Sequence, residues 1–448
     1  MLVRSTWYEK FIATMKSFIV SFYKDYNSVG LQTGTQESIA PVIDVWIASS
    51  TEAAEILRGL IDDSFASQNN CYVNLNLLPA GQLNAGAVNT LMLSIISGSA
   101  PDVALGVSPN TPVELAIRDA AVDLSSLDGF DEISSQFVKE LFVPMTFNGR
   151  IYGLPERTDF RLMFYRKDIL ASLGLSVPET WDELYTSTLH VLKQNQLEAF
   201  IPQDLNIFLF QRGGRYFTDD GLRSAFDTAE GYAAFEEMVE LYTNYGIPYT
   251  AAFFNRFRIG TIPLGIGGYA DYISLLTGAP ELSGRWGIAP IPGHKSENGV
   301  INRSWSGSTI SSAMILAGSE KPEESWDFLK WWMDSVTQSR YAREVEVKIG
   351  LGSRVNTANM IAFKELEWKI EDIKIIADVF DSVVETPGVL GGPYVARHIN
   401  NAWNRIIIDK MSITVKDSFE IAIEEINREL AAKQEEYPWL IEEVNIYE

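Results

Sequence analysis

The stretch Pro41–Phe65, PVIDVWIASSTEAAEILRGLIDDSF, decides the fold that this sequence predicts. An apolar run ending in small polar residues indicates a buried strand, and the amphipathic segment after it indicates a helix capped by a hydroxyl side chain. The pattern continues, because CYVNLNLLP at 71–79 alternates as a strand, AVNTLMLSIISG at 87–98 is helical, and PDVALGV at 101–107 is again strand-like. Alternating strands and helices predict crossover connections and a parallel sheet, hence an α/β fold.

The carboxyl ends of the predicted strands are the expected place for a ligand. In open α/β sheets, ligands bind in the crevice beyond these ends. The ends of the first and third strands fall at 46–50 and at 107–110. We therefore expect binding residues there.

Composition bounds the number of domains and the kinds of partner. A chain of 448 residues is too long for one compact core and suits two lobes. The net charge of -23 disfavours nucleic acid and anionic membrane surfaces as partners. One cysteine, Cys71, excludes an intrachain disulfide, and three widely separated histidines give no zinc spacing, so we expect no metal and no cofactor. No apolar run reaches the roughly 18 to 20 residues of a membrane span.

Two segments have the character of connections between lobes. NGRIYGLPERTDFRLMFYRKDIL at 148–170 alternates around a Gly-Leu-Pro turn and indicates the chain crossing from one lobe to the other. NRSWSGSTISSAMIL at 302–316 is polar and contains glycine before a buried apolar run, which indicates the return. The sequence thus predicts hinge connections near 157–162 and 302–307.

The search for catalytic motifs gives mostly absences. The sequence has no GxxxxGK[ST], HExxH, CxxC or GxSxG. Glu156 and Asp159 are a conceivable acid and base for a glycosidase, but in a chain with 59 acidic residues such a pair is weak evidence. We predict that no residue is catalytic.

Aromatic residues at the predicted strand ends favour a sugar ligand. Trp46, Tyr269 and Trp305 stand next to small polar residues at such positions. Sugar rings pack their C–H faces on aromatic rings, while their hydroxyls need polar partners nearby. Each aromatic side chain taken alone is more often part of a core.

A series of stretches resembles the family of extracellular solute-binding proteins that includes the maltodextrin-binding protein. The resemblance covers roughly Pro41–Asn356, and the joint order of the motifs is more specific than any one of them. The stretches are VIDVWIASSTEAAEILRGLIDDSF at 42–65, IISGSAPDVALG at 95–106, NGRIYGLPERTDFRLMFYRKDIL at 148–170, GLSVPETWDEL at 174–184, GIGGYADY at 265–272, WGIAPIPG at 286–293 and KPEESWDFLKWW at 321–332.

This resemblance implies a two-lobed periplasmic-binding-protein fold of type II, in which each lobe has a central, mainly parallel sheet flanked by helices. It implies the capture of a carbohydrate, an oligosaccharide, in the cleft between the lobes by hinge closure. The implied partners are the membrane permease subunits of an ABC importer, and the implied state is a monomer at the outer face of the cytoplasmic membrane.

The two ends resemble long Gram-positive members of the family that carry extra domains ahead of the binding module. TWYEKFIATMKSFIVSFYKDYNSVG at 6–30 is similar to the linker helix of that group, and the signal or anchor is expected outside this chain. The implied divisions are a linker helix at 1–40, a first lobe at 41–157 and 305–355, and a second lobe at 158–304 and 356–448.

The family's cleft positions transfer to this chain residue by residue. Asp159 takes the place of an acidic residue that accepts sugar hydroxyls, and Tyr269 that of an aromatic platform. The ligand-binding residues that the resemblance implies are Trp46, Ser49, Ser50, Asn110, Arg157, Asp159, Asn206, Gln211, Tyr269, Asp271, Trp305 and Ser306.

Three alternatives stay open at this stage. One is a glycoside hydrolase or lyase acting on the same sugars, and another is a structural or adhesive module that uses its acidic face. A third keeps the capture function with a peptide or polyamine as the ligand.

Overall fold

The computed structural model describes residues 40–79, 82–83 and 90–437. The predicted linker helix at 1–40 lies outside the described residues, apart from residue 40. Nine strands form two main sheets. They are β1 (Val42–Ala48), β2 (Tyr72–Leu78), β3 (Val103–Val107), β4 (Leu154–Thr158), β5 (Leu162–Arg166), β6 (Ala199–Phe200), β7 (Leu264–Gly267), β8 (Trp286–Pro290) and β9 (Thr309–Ile315).

The first sheet has the strand order β2-β1-β3-β9-β4. β1 pairs in parallel with β2 and β3, as the opening stretch predicts, and β9 pairs antiparallel with both β3 and β4. Because β9 lies between β3 and β4 and opposes both, β1, β3 and β4 run in one direction. Their carboxyl ends therefore lie at the same edge of the sheet.

The second sheet has the order β8-β5-β7-β6. β5 is antiparallel to β8 and β7, and only β6 and β7 are parallel. The prediction of a mainly parallel sheet in each lobe is therefore wrong for this one. The physical reason is that β5 enters directly from the crossing, and the strands hydrogen-bonded to it on both sides run back toward the hinge.

Helices cover the sheets and form the carboxyl-terminal part of the chain. No helix in the described ranges has the length and apolar character needed to cross a membrane. The helices of six or more residues are α1 (Thr51–Leu60), α2 (Thr90–Ser97), α3 (Thr111–Ala116), α4 (Lys167–Ser172), α5 (Leu189–Gln194), α6 (Leu205–Gln211), α7 (Ala229–Thr243), α8 (Phe253–Ile259), α9 (Tyr269–Gly278), α10 (Pro322–Met333), α11 (Ser335–Ile349), α12 (Met360–Glu365), α13 (Ile370–Phe380), α14 (Pro393–Ile407) and α15 (Val415–Glu435).

Short elements connect these helices and strands. They are two short hairpins (Thr146–Phe147 with Arg150–Ile151, and His294–Lys295 with Ile301–Asn302), two π-helical segments (Ile61–Phe65 and Leu184–Thr188), three short α-helical segments (Ala66–Asn69, Phe130–Ser134 and Trp181–Glu183) and four 3₁₀ segments (Leu124–Ser126, Lys139–Met145, Pro280–Leu282 and Leu351–Ser353).

The last two helices pack on each other and on α7 of the second lobe. The main contact is a stack between Phe419 on α15 and Phe235 on α7, with ring centroids 4.3 Å apart and an interplanar angle of 7°. Phe419 is fully buried and also touches Phe226. An aromatic cluster therefore fixes α15 to the second lobe.

The carboxyl-terminal end of α15 contacts both lobes. On the second-lobe side, Gln434 donates from Nε2 to the carbonyl oxygen of Leu222 at 2.8 Å. On the first-lobe side, the guanidinium carbon of Arg118, just after α3, lies 5.3 Å from the centre of the Tyr437 ring. α15 therefore bridges the two lobes.

Replacing Phe419 by Ala is expected to lower the free energy of unfolding by about 3–5 kcal/mol, because it leaves a cavity in a buried aromatic cluster. Ile421→Ala on the same helix is the control, since Ile421 is 38% exposed; its effect should stay within roughly 1 kcal/mol. Urea unfolding followed by circular dichroism compares the two. Equal losses would contradict the assigned role of the stack.

Candidate ligand-binding site

The connections between the lobes are hydrogen-bonded to each other. Where the chain leaves β4, the backbone N–H of Asp159 donates to the carbonyl oxygen of Ser308 at 2.7 Å, and that of Thr158 donates to the carbonyl oxygen of Asn356 at 3.0 Å. The hydroxyls of Thr158 and Ser308 are 2.7 Å apart, and the Asn356 amide donates back to the Thr158 carbonyl. Three separate segments of the chain thus meet at the hinge.

A buried carboxylate, Glu385, brings a fourth segment to the hinge. Its Oε1 accepts the backbone N–H groups of Ser308 at 2.7 Å and Thr309 at 2.9 Å. Its Oε2 accepts the backbone N–H of Gly307 at 3.2 Å and the Ser306 hydroxyl at 3.3 Å. Burial raises the pKa of Glu385, while these donors act to lower it. The side chain of Glu385 therefore fixes the return segment from Ser306 to Thr309.

The crossing places a network of charged groups at the edge of the second sheet. Oδ1 of Asp159 accepts the backbone N–H groups of Phe160 at 2.8 Å and Tyr269 at 2.7 Å, while Oδ2 accepts Nη1 of Arg161 at 2.9 Å. The Nε of Arg161 lies 3.5 Å from a carboxylate oxygen of Asp204, which caps α6. Both oxygens of Asp159 are thus occupied by donors from the protein.

Gly268 makes this close approach possible. A Cβ on Gly268 would lie 2.8 Å from each carboxylate oxygen of Asp159, closer than real Cβ contacts occur. The backbone N–H of Gly268 donates to Oδ2 of Asp271 at 3.0 Å, so Asp271 caps the start of α9. The GGYAD motif therefore docks the start of α9 onto the crossing.

The half-buried ring of Tyr269 is held in one orientation. Its hydroxyl donates to the carbonyl oxygen of Arg354 at 3.1 Å. Phe160 and Trp368 contact the ring in T-shaped geometry, with centroids 5.9 Å and 6.1 Å away. These contacts fix the ring before any ligand arrives.

At the edge of the first sheet, the predicted polar residues divide into occupied and open ones. Ser50 accepts the backbone N–H of Ala53 in the first turn of α1 at 3.2 Å, and Ser49 lies near Tyr341, whose hydroxyl donates to the carbonyl oxygen of Ala53 at 3.4 Å. The side chains of Asn110, at the start of α3, and Arg157, on β4, make no hydrogen bond or ion pair with any described residue. Asn110 and Arg157 are both partly exposed.

A further polar group without a partner lies at the facing edge of the second sheet. Oδ1 of Asn206, in the first turn of α6, is buried and has no hydrogen-bond partner. The strand pairing sets this arrangement, because β7 ends beside the start of β5, where the crossing enters. The two lobes therefore contribute partly exposed polar side chains without partners, on Asn110 and Arg157, and a buried oxygen without one, on Asn206.

The structure corrects three of the predicted ligand contacts. Trp305 is fully buried and its indole N–H donates to the carbonyl oxygen of Val379 at 3.0 Å. Ser306 is 3% exposed within the hinge, and Gln211 is 4% exposed with its amide bonded at both ends inside the second lobe. These side chains serve packing and hinge geometry. Trp46 is half-buried against apolar residues of the first sheet, and its contact with ligand stays a prediction.

Sequence reasoning missed four residues that organise the site: Glu385, Asn356, Arg161 and Asp204. Arg161 stands two residues after Asp159 in the crossing stretch, so a search for its counter-ion could have found it. Glu385 is 77 residues beyond Ser308, and no local pattern announces this pairing. Within residues 40–79, 82–83 and 90–437, no group of three or more His, Cys, Asp or Glu side chains is arranged to hold a metal ion.

The fold and the hinge define a class of protein: two α/β lobes joined by bonded crossing segments, with open polar groups where the sheet edges face each other. This is the architecture of proteins that close around a small ligand. The sequence model of bacterial extracellular solute-binding proteins matches residues 48–338, and the chain belongs to that family.

Solved structures and a curated relative support this assignment. The sugar-binding protein MalE of Xanthomonas citri superposes with a TM-score of 0.71 at 20% identity, covering 90% of this chain and 99% of that one. The cyclic alpha-maltosyl-1,6-maltose binding protein of Arthrobacter globiformis gives 0.70 at 18% identity, covering 87% and 98%. Both comparisons confirm the predicted two-lobed type II fold.

The curated relative is similar over a shorter region. The arabinooligosaccharide-binding protein of Halalkalibacterium halodurans is 25% identical over 268 residues, which cover 54% of this chain and 57% of that protein. The chain thus spans less than two thirds of the length of this relative.

Replacing Glu385 by Gln is expected to destabilise the protein by about 1–3 kcal/mol, because the amide NH₂ would face backbone N–H donors and leave them unsatisfied. Asp381→Asn, four residues earlier and exposed, is the matched control and should change little. Urea unfolding at neutral pH measures both. If Glu385→Gln were as stable as the control, the hinge role of this carboxylate would be refuted.

Proposed function

We propose that this chain is the ligand-capturing component of an ABC importer and that it closes its two lobes around an oligosaccharide. The observation that carries the proposal is the set of polar groups without hydrogen-bond partners on Asn110, Arg157 and Asn206, contributed by both lobes near the hinge. Family membership supports the importer role, and the permease subunits of the importer are the proposed partners. The proposed working state is a monomer outside the cytoplasmic membrane.

The chemistry of these groups suits sugar hydroxyls, which both donate and accept hydrogen bonds. The Asn110 amide offers a donor and an acceptor, the Asn206 carbonyl accepts, and the Arg157 guanidinium donates. The fixed ring of Tyr269 adds an aromatic surface next to the crossing, suited to the C–H face of a sugar. The name of the Halalkalibacterium halodurans relative, an arabinooligosaccharide-binding protein, supports an oligosaccharide as the ligand class.

Closure follows from the hinge. The bonded crossing segments form a compact connection about which the lobes can rotate as rigid bodies. A ligand that contacts both sheet edges gains its second set of contacts only in the closed form. It therefore shifts the population toward closure by that difference in affinity.

The contacts of the acidic residues argue against hydrolysis of the sugar. A glycosidase needs two carboxyl groups facing the glycosidic bond about 5–9.5 Å apart. Glu156 is buried and accepts the indole N–H of Trp332 at 3.0 Å, and Asp159 has both oxygens occupied. Neither carboxyl is placed to act as acid or base. A polyamine is disfavoured as the ligand, because its cationic amines need carboxylates and Arg161 already pairs with both Asp159 and Asp204.

Isothermal titration calorimetry against a panel of neutral and acidic plant-wall oligosaccharides tests the proposal. Small-angle scattering of each complex and chromatography of the recovered sugar complete the test. We expect one site per chain, a smaller radius of gyration in the complex, and intact sugar after prolonged incubation. Hydrolysis products, or binding without compaction, would speak against capture by closure.

Asn110→Ala and Asn206→Ala are expected to weaken binding of the best sugar by about 3- to 10-fold each, because each removes one neutral hydrogen bond. Asn401→Ala, on the exposed side of α14, is the control and should leave the dissociation constant unchanged. Calorimetry on the three variants gives the comparison. Wild-type affinity in both site variants would remove Asn110 and Asn206 from the site.

A further inference from the structure

Arg157 differs from the other described arginines in its surroundings. The side chains of four of them make neither a hydrogen bond nor an ion pair with the described residues, namely Arg157, Arg223, Arg285 and Arg428. Arg223, Arg285 and Arg428 are exposed to solvent, whereas Arg157 is only partly exposed. Arg157 is therefore the one arginine of this set that is partly covered by the protein while its side chain has no hydrogen-bond or ion-pair partner there.

The acidic groups near Arg157 are already engaged. Its charge acts on the carboxyl of Glu156, the preceding residue, but that carboxyl accepts Trp332 Nε1 at 3.0 Å and lies 3.4 Å from the Ser311 hydroxyl. Burial raises the pKa of Glu156, which weakens it as a counter-ion. Asp159, two residues further on, pairs with Arg161.

Two observations place Arg157 at the proposed cleft. It lies on β4 next to the crossing, at the sheet edge where β1 and β3 also end. Its charge also acts on the phenol of Tyr341, whose hydroxyl donates to the carbonyl oxygen of Ala53 in α1, the helix that follows β1 and Ser49, at 3.4 Å. The guanidinium therefore belongs to the same edge as Ser49 and the open amide of Asn110.

A guanidinium that a bound ligand covers loses hydration, and the ligand must replace it. The guanidinium is a planar fork of donors that matches a carboxylate through two parallel hydrogen bonds. A neutral sugar hydroxyl accepts a hydrogen bond from one of these donors and does not neutralise the positive charge. A carboxylate accepts hydrogen bonds from two of the donors and also neutralises the charge.

We propose that Arg157 recognises a carboxylate on the bound sugar, so that the ligand is an oligosaccharide containing a uronic acid. This inference rests on the proposed capture of an oligosaccharide and names its class. The net charge of -23 does not oppose it, because the Debye length at physiological salt is about 8 Å. The field of distant carboxylates is largely screened over that length, whereas a direct contact is not.

Calorimetry at 0.15 M salt with matched pairs of sugars tests the inference. Oligogalacturonides are compared with the same oligomers after reduction of the carboxyl groups to alcohols, and glucuronic-acid-substituted xylo-oligosaccharides with unsubstituted ones. We expect the acidic member of one pair to bind at least about 10-fold more tightly, the range for hydrogen bonds to charged groups.

Three variants test whether Arg157 causes the preference for the acidic sugar. Arg157→Gln should abolish the acidic preference, and Arg157→Lys should keep part of it, because the charge remains while the fork is lost. Arg223→Gln, at an exposed and unpaired arginine, is the control and should keep the full preference. Thermal unfolding of each variant shows that it is folded, and the ratio of affinities within a pair cancels any general loss of binding.

The outcomes separate the two proposals. Tight binding of neutral sugars with no acidic preference, or an acidic preference that survives Arg157→Gln, would overturn the role of Arg157 and leave sugar capture standing. Failure of every sugar to bind would overturn both.

Discussion

The structure depends on the hydrogen bonds that hold the connections between the lobes together at one point. Thr158 and Asp159 bond to Ser308 and Asn356, and Glu385 accepts three consecutive backbone N–H groups from the return segment. Each backbone group in this buried place needs a partner, since an unmade hydrogen bond there costs about 1–3 kcal/mol. The hinge is therefore well connected locally, which suits the proposed rotation of the lobes about it as units. The directions of the strands then determine which polar groups lie at the sheet edges next to the hinge.

Local sequence pattern was sufficient for β1, β2 and β3 of the first sheet and for the α/β class, whereas the two-lobed fold was predicted from the resemblance to the family. The apolar segments Val42–Ala48 and Val103–Val107 form strands because many of their residues are buried among helices. The amphipathic helical segments between the strands carry the chain back, so that the next strand runs in the same direction. The second sheet was harder to predict, since β6 has two residues and β7 four, too short for a clear period. The antiparallel pairing follows from where the chain enters this sheet, which no local pattern records.

The same limit explains which binding residues could be predicted. Strand ends located Ser49 and Asn110 at one edge, because parallel strands end together, whereas Arg157 was predicted from the resemblance to the family. The position of a residue after a strand does not determine the direction of its side chain, and the side chain of Trp305 is buried in the core. The protein itself supplies donors to both oxygens of Asp159, for which the resemblance implied sugar hydroxyls, and its contact with a sugar stays a prediction. Its partner Arg161 and the distant Glu385 become visible only in three dimensions.

The bridging position of α15 has a thermodynamic consequence. Its one aromatic residue, Phe419, is fixed in one lobe, while Tyr437, just after the helix ends, lies under the guanidinium of Arg118 in the other. Rotation of the lobes must either carry this contact along or break it, so its free energy enters the equilibrium between open and closed forms. A molecule that binds the end of α15 and prefers either the open or the closed form changes the affinity of the protein for its ligand. Because linkage is reciprocal, the ligand changes the affinity for that molecule by the same factor. The carboxyl-terminal helix thus connects events outside the cleft to occupancy within it.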